Sequence, residues 1–312
     1  MADSSSRLPL QTLNIGDVVT AGLRIYRDHF KPYYGQAFQF YLWITLAIII
    51  SLVVVLAVRA IEAALTPPVS AGIWIFVVLA LFVPWGYCLA KAIAVQGVLA
   101  RVAFFEVGEA PESLEAARIQ LMPRFWRFLR TSLLVALLMT LCSLVVGGIL
   151  ALLLLLGSVI GEANPGGGIA VGILAFVWFW VGLFIYTWVF ARLALTDVCL
   201  AVEPTLSPVN AVSRSWHLTH GDGVNLQKLF IIVFLLTLPL VVVGNLGSIG
   251  ATLAGLDKNM ATLINFPFSI LVGALFIPFW QTIKAVVYCD LRTRKEGLRL
   301  SMDLPPLEDF SG

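Results

Sequence analysis

Apolar residues in this chain come in long unbroken runs, and the polar positions between them follow a second, helical pattern. Six runs, at residues 36–58, 71–90, 131–155, 169–191, 229–249 and 263–283, are each roughly 20 residues long. That length crosses a hydrocarbon core of roughly 30 Å. Continuous runs rather than apolar–polar alternation predict membrane helices and exclude an outer-membrane barrel. The second run stays apolar past Gln96 to about Phe105, so its helix is expected to project beyond the hydrocarbon.

Three shorter segments carry polar residues on one helical face only. Residues 14–30 place Ile15, Val18, Val19, Gly22, Tyr26 and Phe30 on one side, opposite Asp17, Thr20, Arg24, Arg27 and Asp28; Pro32 is expected to end the helix. Residues 111–122 set Leu114, Ala117 and Leu121 against Glu112, Glu115 and Arg118, with a break at Pro123. The third starts at Ser207-Pro208, an N-cap followed by proline at the first helical position, and ends at Gly221-Asp222-Gly223. Helices of this kind lie in the membrane interface. Thr66-Pro67-Pro68 and the glycine-rich residues 157–168 are expected to be turns.

One phrase recurs: LFVPWGYCLAK at 81–91, LFIYTWVFAR at 183–192 and LFIPFWQTIK at 275–284. Each copy ends on a cation, Lys91, Arg192 or Lys284, and a polar residue follows further on, Gln96, Asp197 or Asp290. The pattern predicts an all-α integral membrane protein of six transmembrane helices. They form three parallel helical-hairpin repeats, each preceded by an interfacial amphipathic helix. Their bounds are 13–106, 111–203 and 207–298, within a single membrane domain that closes on a tail at 299–312.

Composition agrees. Of the 312 residues 60% are hydrophobic and 12% charged, with a mean hydropathy of +0.94, too few charges to cover a soluble core. All but Arg59 and Lys258 of the 20 Lys and Arg fall on one side of this topology. The positive-inside rule therefore puts both termini in the cytoplasm. No cleaved signal peptide is indicated. Cys88, Cys142, Cys199 and Cys289 lie in or beside apolar runs without CxxC spacing, and are expected to be small packed residues.

Candidate chemistry centres on Lys91, Gln96, Arg192, Asp197, Lys284 and Asp290. In one account these six line a cytoplasm-facing pocket for an anion or lipid headgroup. In the other, each cation marks the end of a span and snorkels to phosphates. Arg24, Arg27, Arg118 and Arg214 on the interfacial helices are candidate lipid-headgroup contacts. His217-x-x-His220 with Asp222, and His29 nearby, lacks a specified further ligand, so no metal is assigned. No nucleophile elbow, HExxH helix or P-loop is present, and no catalytic residue or cofactor is assigned.

The stretches IGDVVTAGLRIYRDHF at 15–30 and VVYCDLRTRKEG at 286–297 resemble bacterial six-helix membrane proteins, closest to cyanobacterial ones. These are labelled "glycerophosphoryl diester phosphodiesterase membrane domain" or YciC-like, and their role is unassigned. The resemblance implies the bacterial inner (plasma) membrane, or the thylakoid membrane in a cyanobacterium. It carries over no catalytic residue. The function expected is a non-enzymatic, lipid- or partner-binding scaffold or assembly factor. The alternative is a small transporter or conduit for an anionic metabolite or lipid. Membrane lipids and other membrane proteins are the expected partners; nucleic acid is not. A reporter enzyme fused after Gly312 should register a cytoplasmic C-terminus, and an external signal would reverse the orientation.

Overall fold

Proline, asparagine and two left-handed glycines, Gly221 and Gly255, mark where the chain changes direction. In the computed structural model, which describes residues 15–64, 71–108 and 110–297, every regular element is helical. The helices are α1 (Ile15–Asp28), α2 (Phe30–Ala64), α3 (Ala71–Val107), α4 (Leu114–Leu121), α5 (Phe125–Ala163) and α6 (Pro165–Leu193). They continue with α7 (Thr196–Val202), α8 (Pro208–Leu218), α9 (Gly223–Gly244), α10 (Leu246–Leu253) and α11 (Lys258–Glu296). The turn expected at Thr66-Pro67-Pro68, residues 1–14 and the tail at 299–312 lie outside the described residues.

The first break falls at His29, not Pro32. Proline has no N–H to offer the carbonyl four residues earlier, so the interruption appears upstream of it. Pro32 itself sits in the first turn of α2, where the missing donor costs nothing. Ser113 caps α4 by accepting from the Ala116 amide at 3.2 Å, and Ser207 caps α8 from Asn210 at 3.2 Å, with Pro208 at the first position. The glycine-rich residues 157–168 are not a turn. Helix α5 runs to Ala163 and α6 begins at Pro165, so Asn164 alone separates them, its side chain capping the Gly167 amide. The fifth apolar run also breaks, at Asn245. The short helix α10 that follows is held to α11 by the Ser248 amide donating to Asn265 Oδ1 at 3.0 Å.

Six stretches are long and apolar enough to cross a membrane by length and composition, which makes this a multi-pass membrane protein. They pair as antiparallel neighbours. Between α2 and α3, Trp74 Nε1 donates to Glu62 and Trp85 Nε1 to Ser51. Between α5 and α6, Trp178 Nε1 donates to the Val146 carbonyl at 3.0 Å, and Gly161 faces Gly168. Gly244 and Gly247 let α9 and α10 approach α11. Lipid tails are as apolar as leucine, so helices associate in hydrocarbon through small residues and interhelical hydrogen bonds. These contacts are of both kinds.

The core proper lies at one end of the helices. Its largest buried side chains include Tyr33 of α2, Phe128 of α5 and Tyr288 of α11, the last packed against Phe104 of α3, with Leu99, Leu195 and Leu291 almost fully enclosed. Here burial removes surface from water and each large side chain contributes about 1.5–3 kcal/mol. The three amphipathic helices roof this core. α1 lies on α11 with Gly22 against Ile283, α4 buries Ala117 and Leu121 beside α3, and α8 buries Ala211 and Leu218 beside α7.

A β-carbon on Gly168 would lie 2.6 Å from the Gly161 Cα, against backbone that cannot yield, whereas one on Gly172 meets nothing within 4 Å. Gly168→Ala should therefore cost about 1–3 kcal/mol and lower the thermal unfolding temperature in detergent. Gly172→Ala should leave it unchanged or slightly raised.

Candidate functional site

Each residue the repeated phrase singles out has a definite place, and the three cations face three different neighbours. Lys284 of α11 is 5% exposed and forms an ion pair with Asp197 Oδ2 of α7. Gln281, one turn earlier on α11, donates from Nε2 toward both Asp197 Oδ2 at 3.3 Å and Gln96 Oε1 of α3 at 3.2 Å. Gln96, Asp197 and Lys284 thus meet where α3, α7 and α11 converge, and Gln281 completes the junction. A buried ammonium is tolerated because a carboxylate takes its charge; alone it would cost several kcal/mol.

Lys91 points away from this junction. Its ammonium lies 4.2 Å from the Phe125 ring centroid and 5.7 Å from that of Tyr87, against the start of α5. Arg192, 6% exposed, is held by α8 and its neighbouring turn. Its guanidinium lies 3.9 Å from the Trp216 ring centroid and 5.1 Å from Trp188, Nη2 donates to the Trp216 carbonyl at 2.8 Å, and Ser215 Oγ donates back to the Arg192 carbonyl. Cation–π contacts of this desolvated kind are worth about 2 kcal/mol. Asp290 pairs along its own helix with Arg294 at 2.7 Å. The six therefore divide: three form the central junction, and three brace its periphery.

Of the interfacial arginines, Arg24, Arg27 and Arg118 are exposed on α1 and α4, with Arg27 beside Asp28. Arg214 is engaged within the protein, at 3.0 Å from Glu203 and 2.6 Å from Glu296. Burial alone would lower its pKa, but the hydrogen bonds it donates to Glu296 and Glu203 outweigh that and raise it. Glu203 also accepts from the Tyr288 hydroxyl at 2.6 Å. Arg214 thereby ties α8 to the ends of α7 and α11.

Arg101 plays the matching part on α3. It is 7% exposed, pairs with Glu112 at 2.7 Å and donates to the Ala201 carbonyl at 3.0 Å. Sequence reading passed over Gln281, Arg101, Glu203, Tyr288 and Glu296. Two of them carried a signal: Gln281 lies inside LFIPFWQTIK, and Arg101 interrupts an otherwise apolar stretch, where a polar group needs a partner. His217 Nδ1 sits 2.9 Å from the Ser213 carbonyl, Asp222 is taken by Lys295 at 3.1 Å, and His29 lies 3.5 Å from Glu106. Among the described residues no three His, Cys, Asp or Glu are grouped as metal ligands. Cys88 and Cys199 are buried, Cys142 and Cys289 partly so.

The junction borders open space. A crevice of about 260 Å³ separates the beginning of α5 from α11, with Thr131, Ser132, Thr196, Asp197 and Lys284 as its polar lining and Phe190 and Trp280 as its apolar wall. Chemically this is a charge-balanced, hydrogen-bonding recess that can receive a polar group from the side. The chain matches no family model, no curated protein and no solved structure.

Removing one partner of the central pair leaves the other charge stranded. Asp197→Leu or Lys284→Met alone should destabilise by about 3 kcal/mol. The double variant should recover most of that loss in detergent unfolding, giving a large coupling between the two positions. Additive losses would show that the pair is not the joint of the three helices.

Proposed function

We propose that this protein is a non-enzymatic scaffold of the bacterial inner membrane that binds lipids and partner membrane proteins along its exposed hairpin flanks. One observation carries the reading. No more than 28% of the most apolar stretch of any candidate span is buried inside the protein, and for the α5 span none is. Large aliphatic and aromatic side chains such as Phe76, Phe82, Leu144, Phe176 and Leu263 are left for other molecules to cover. Recognition surface of this extent marks an interaction site, and its position on membrane spans suits lipid or another membrane protein.

Three parallel repeats, 13–106, 111–203 and 207–298, with both termini cytoplasmic, account for the packing. Each amphipathic helix lies on the final turns of the preceding repeat's second span: α4 on α3, α8 on α7, and α1 on α11. The last of these closes a ring. The stretches that resemble the phosphodiesterase-associated membrane family begin in α1 and end in α11, the two helices that close it. A basic conduit fits less well. Lys91 and Arg192 turn away from the junction, and Lys284 is neutralised by Asp197.

The purified chain in liposomes should leave the flux of small organic anions linear in concentration and equal to that of protein-free vesicles. Saturable uptake would overturn the scaffold reading in favour of a conduit.

A further inference from the structure

We propose that the meeting of α6, α9 and α11 is a built site for a neutral membrane lipid whose headgroup carries hydroxyls; the proposal rests on the lipid-binding reading above. A groove of about 570 Å³ opens there, within the size range of ligand sites. Six aromatic side chains line it: Tyr186, Phe190, Phe230, Phe234, Phe276 and Trp280. Trp280 lies at 5.3 Å from Phe230 and stacks on Phe276 at 5.9 Å, so the wall is a continuous ring surface. The groove belongs to candidate membrane spans, where bilayer lipid is the molecule at hand.

The polar end of the groove says what kind of lipid. Gln227 lines it and is 4% exposed. Its Nε2 donates to the Phe184 carbonyl at 3.1 Å and to Thr187 Oγ1 at 2.7 Å, while its Oε1 is buried with no partner among the described residues. A buried acceptor left unsatisfied costs about 1–3 kcal/mol. Only a donor relieves it, and the donor a lipid can bring into an apolar groove at little desolvation cost is a hydroxyl.

Phe190 and Trp280 also wall the crevice at the Asp197–Lys284 junction, so the groove and the crevice share one partition. That crevice is charge-balanced. A phosphate entering it would have to lie beside the Asp197 carboxylate and compete with it for Lys284. A cationic headgroup would meet Lys284 in turn. Ser132 instead offers a hydroxyl, and Thr131 and Thr196, whose hydroxyls donate to the Arg127 and Leu193 carbonyls, offer their oxygens as acceptors, to a neutral, hydroxyl-rich headgroup of the glycerol or glycosyl kind. On the groove side of the partition the hydrocarbon chain follows the aromatic wall, and the lipid hydroxyl nearest the glycerol backbone donates to Gln227 Oε1, while the outer part of the headgroup reaches round to the crevice.

The test uses the full chain in phosphatidylcholine nanodiscs doped with a diacylglycerol bearing a diazirine in one acyl chain, the labelled peptides being mapped after photolysis. Label should concentrate on residues 227–234 and 276–280. Unlabelled diacylglycerol or glucosyl-diacylglycerol should compete about fivefold better than the methyl ether of diacylglycerol, which has no hydroxyl to donate, the effect of one hydrogen bond. Gln227→Leu should abolish that preference. Because Gln227 also holds α6, Ile231→Trp provides a second variant: position 231 is 41% exposed and lines the groove, so the larger ring should block labelling while thermal unfolding stays unchanged. Even labelling of all lipid-facing helices, competition by the methyl ether equal to that of diacylglycerol, competition by phosphatidylglycerol equal to or better than that of the neutral lipids, or undiminished labelling of Ile231→Trp in the groove would each overturn the site. Those results leave the scaffold reading standing, since that reading fails on saturable flux instead.

Discussion

A buried ammonium needs a carboxylate, and in this protein that need is met across the chain rather than within one helix. Lys284 on α11 finds Asp197 on α7, and Gln281 carries the same carboxylate to Gln96 on α3. A hydrogen-bonded charge pair of this kind admits little sliding, because a shift of one turn on any of the three helices strands a charge in a low-dielectric interior. The register of three helices is therefore tied to one carboxylate. Arg101 and Arg214 repeat the device nearer the helix ends, each joining an amphipathic segment to the final turns of neighbouring helices.

The two ends of the long helices obey different physics. Where water is the competing solvent, apolar surface is driven together, and the core of α3, α7 and α11 with its roof of α1, α4 and α8 gathers there. Within hydrocarbon that drive is absent, and close association relies on indole N–H groups bonded across the first two hairpins and on glycine in the second and third. The hairpins are accordingly joined firmly at one end and expose most of their flanks along the spans. A molecule built this way offers lateral surface and recesses between helices. The proposals of a scaffold and of a lipid site in the aromatic groove both follow from that division.

Much of this was legible residue by residue. Ser207 announced its cap, the long apolar runs became the long helices, and α3 continued past Gln96 as its pattern required. The glycine-rich residues 157–168 misled because glycine serves two purposes: it permits turns, and it permits backbones to touch. Periodicity along one strand of sequence cannot distinguish them, whereas the 2.6 Å that would separate a β-carbon added at Gly168 from the Gly161 Cα can. Pro32 misled more mildly, since its steric effect is felt one turn before the ring.

The phrase LFIPFWQTIK and its two relatives show the boundary most clearly. The sequence by itself determined that each copy is a membrane helix running to a cation, because hydrophobic length and charge act on every residue alike, whatever its neighbours. It could not determine where Lys91, Arg192 and Lys284 point. Lys91 turned to Phe125, Arg192 to Trp216 and Lys284 to Asp197, each choice made by a residue on another helix. A cation's partner depends on which side chains the packed helices bring within a few ångströms, and only the tertiary structure sets that distance.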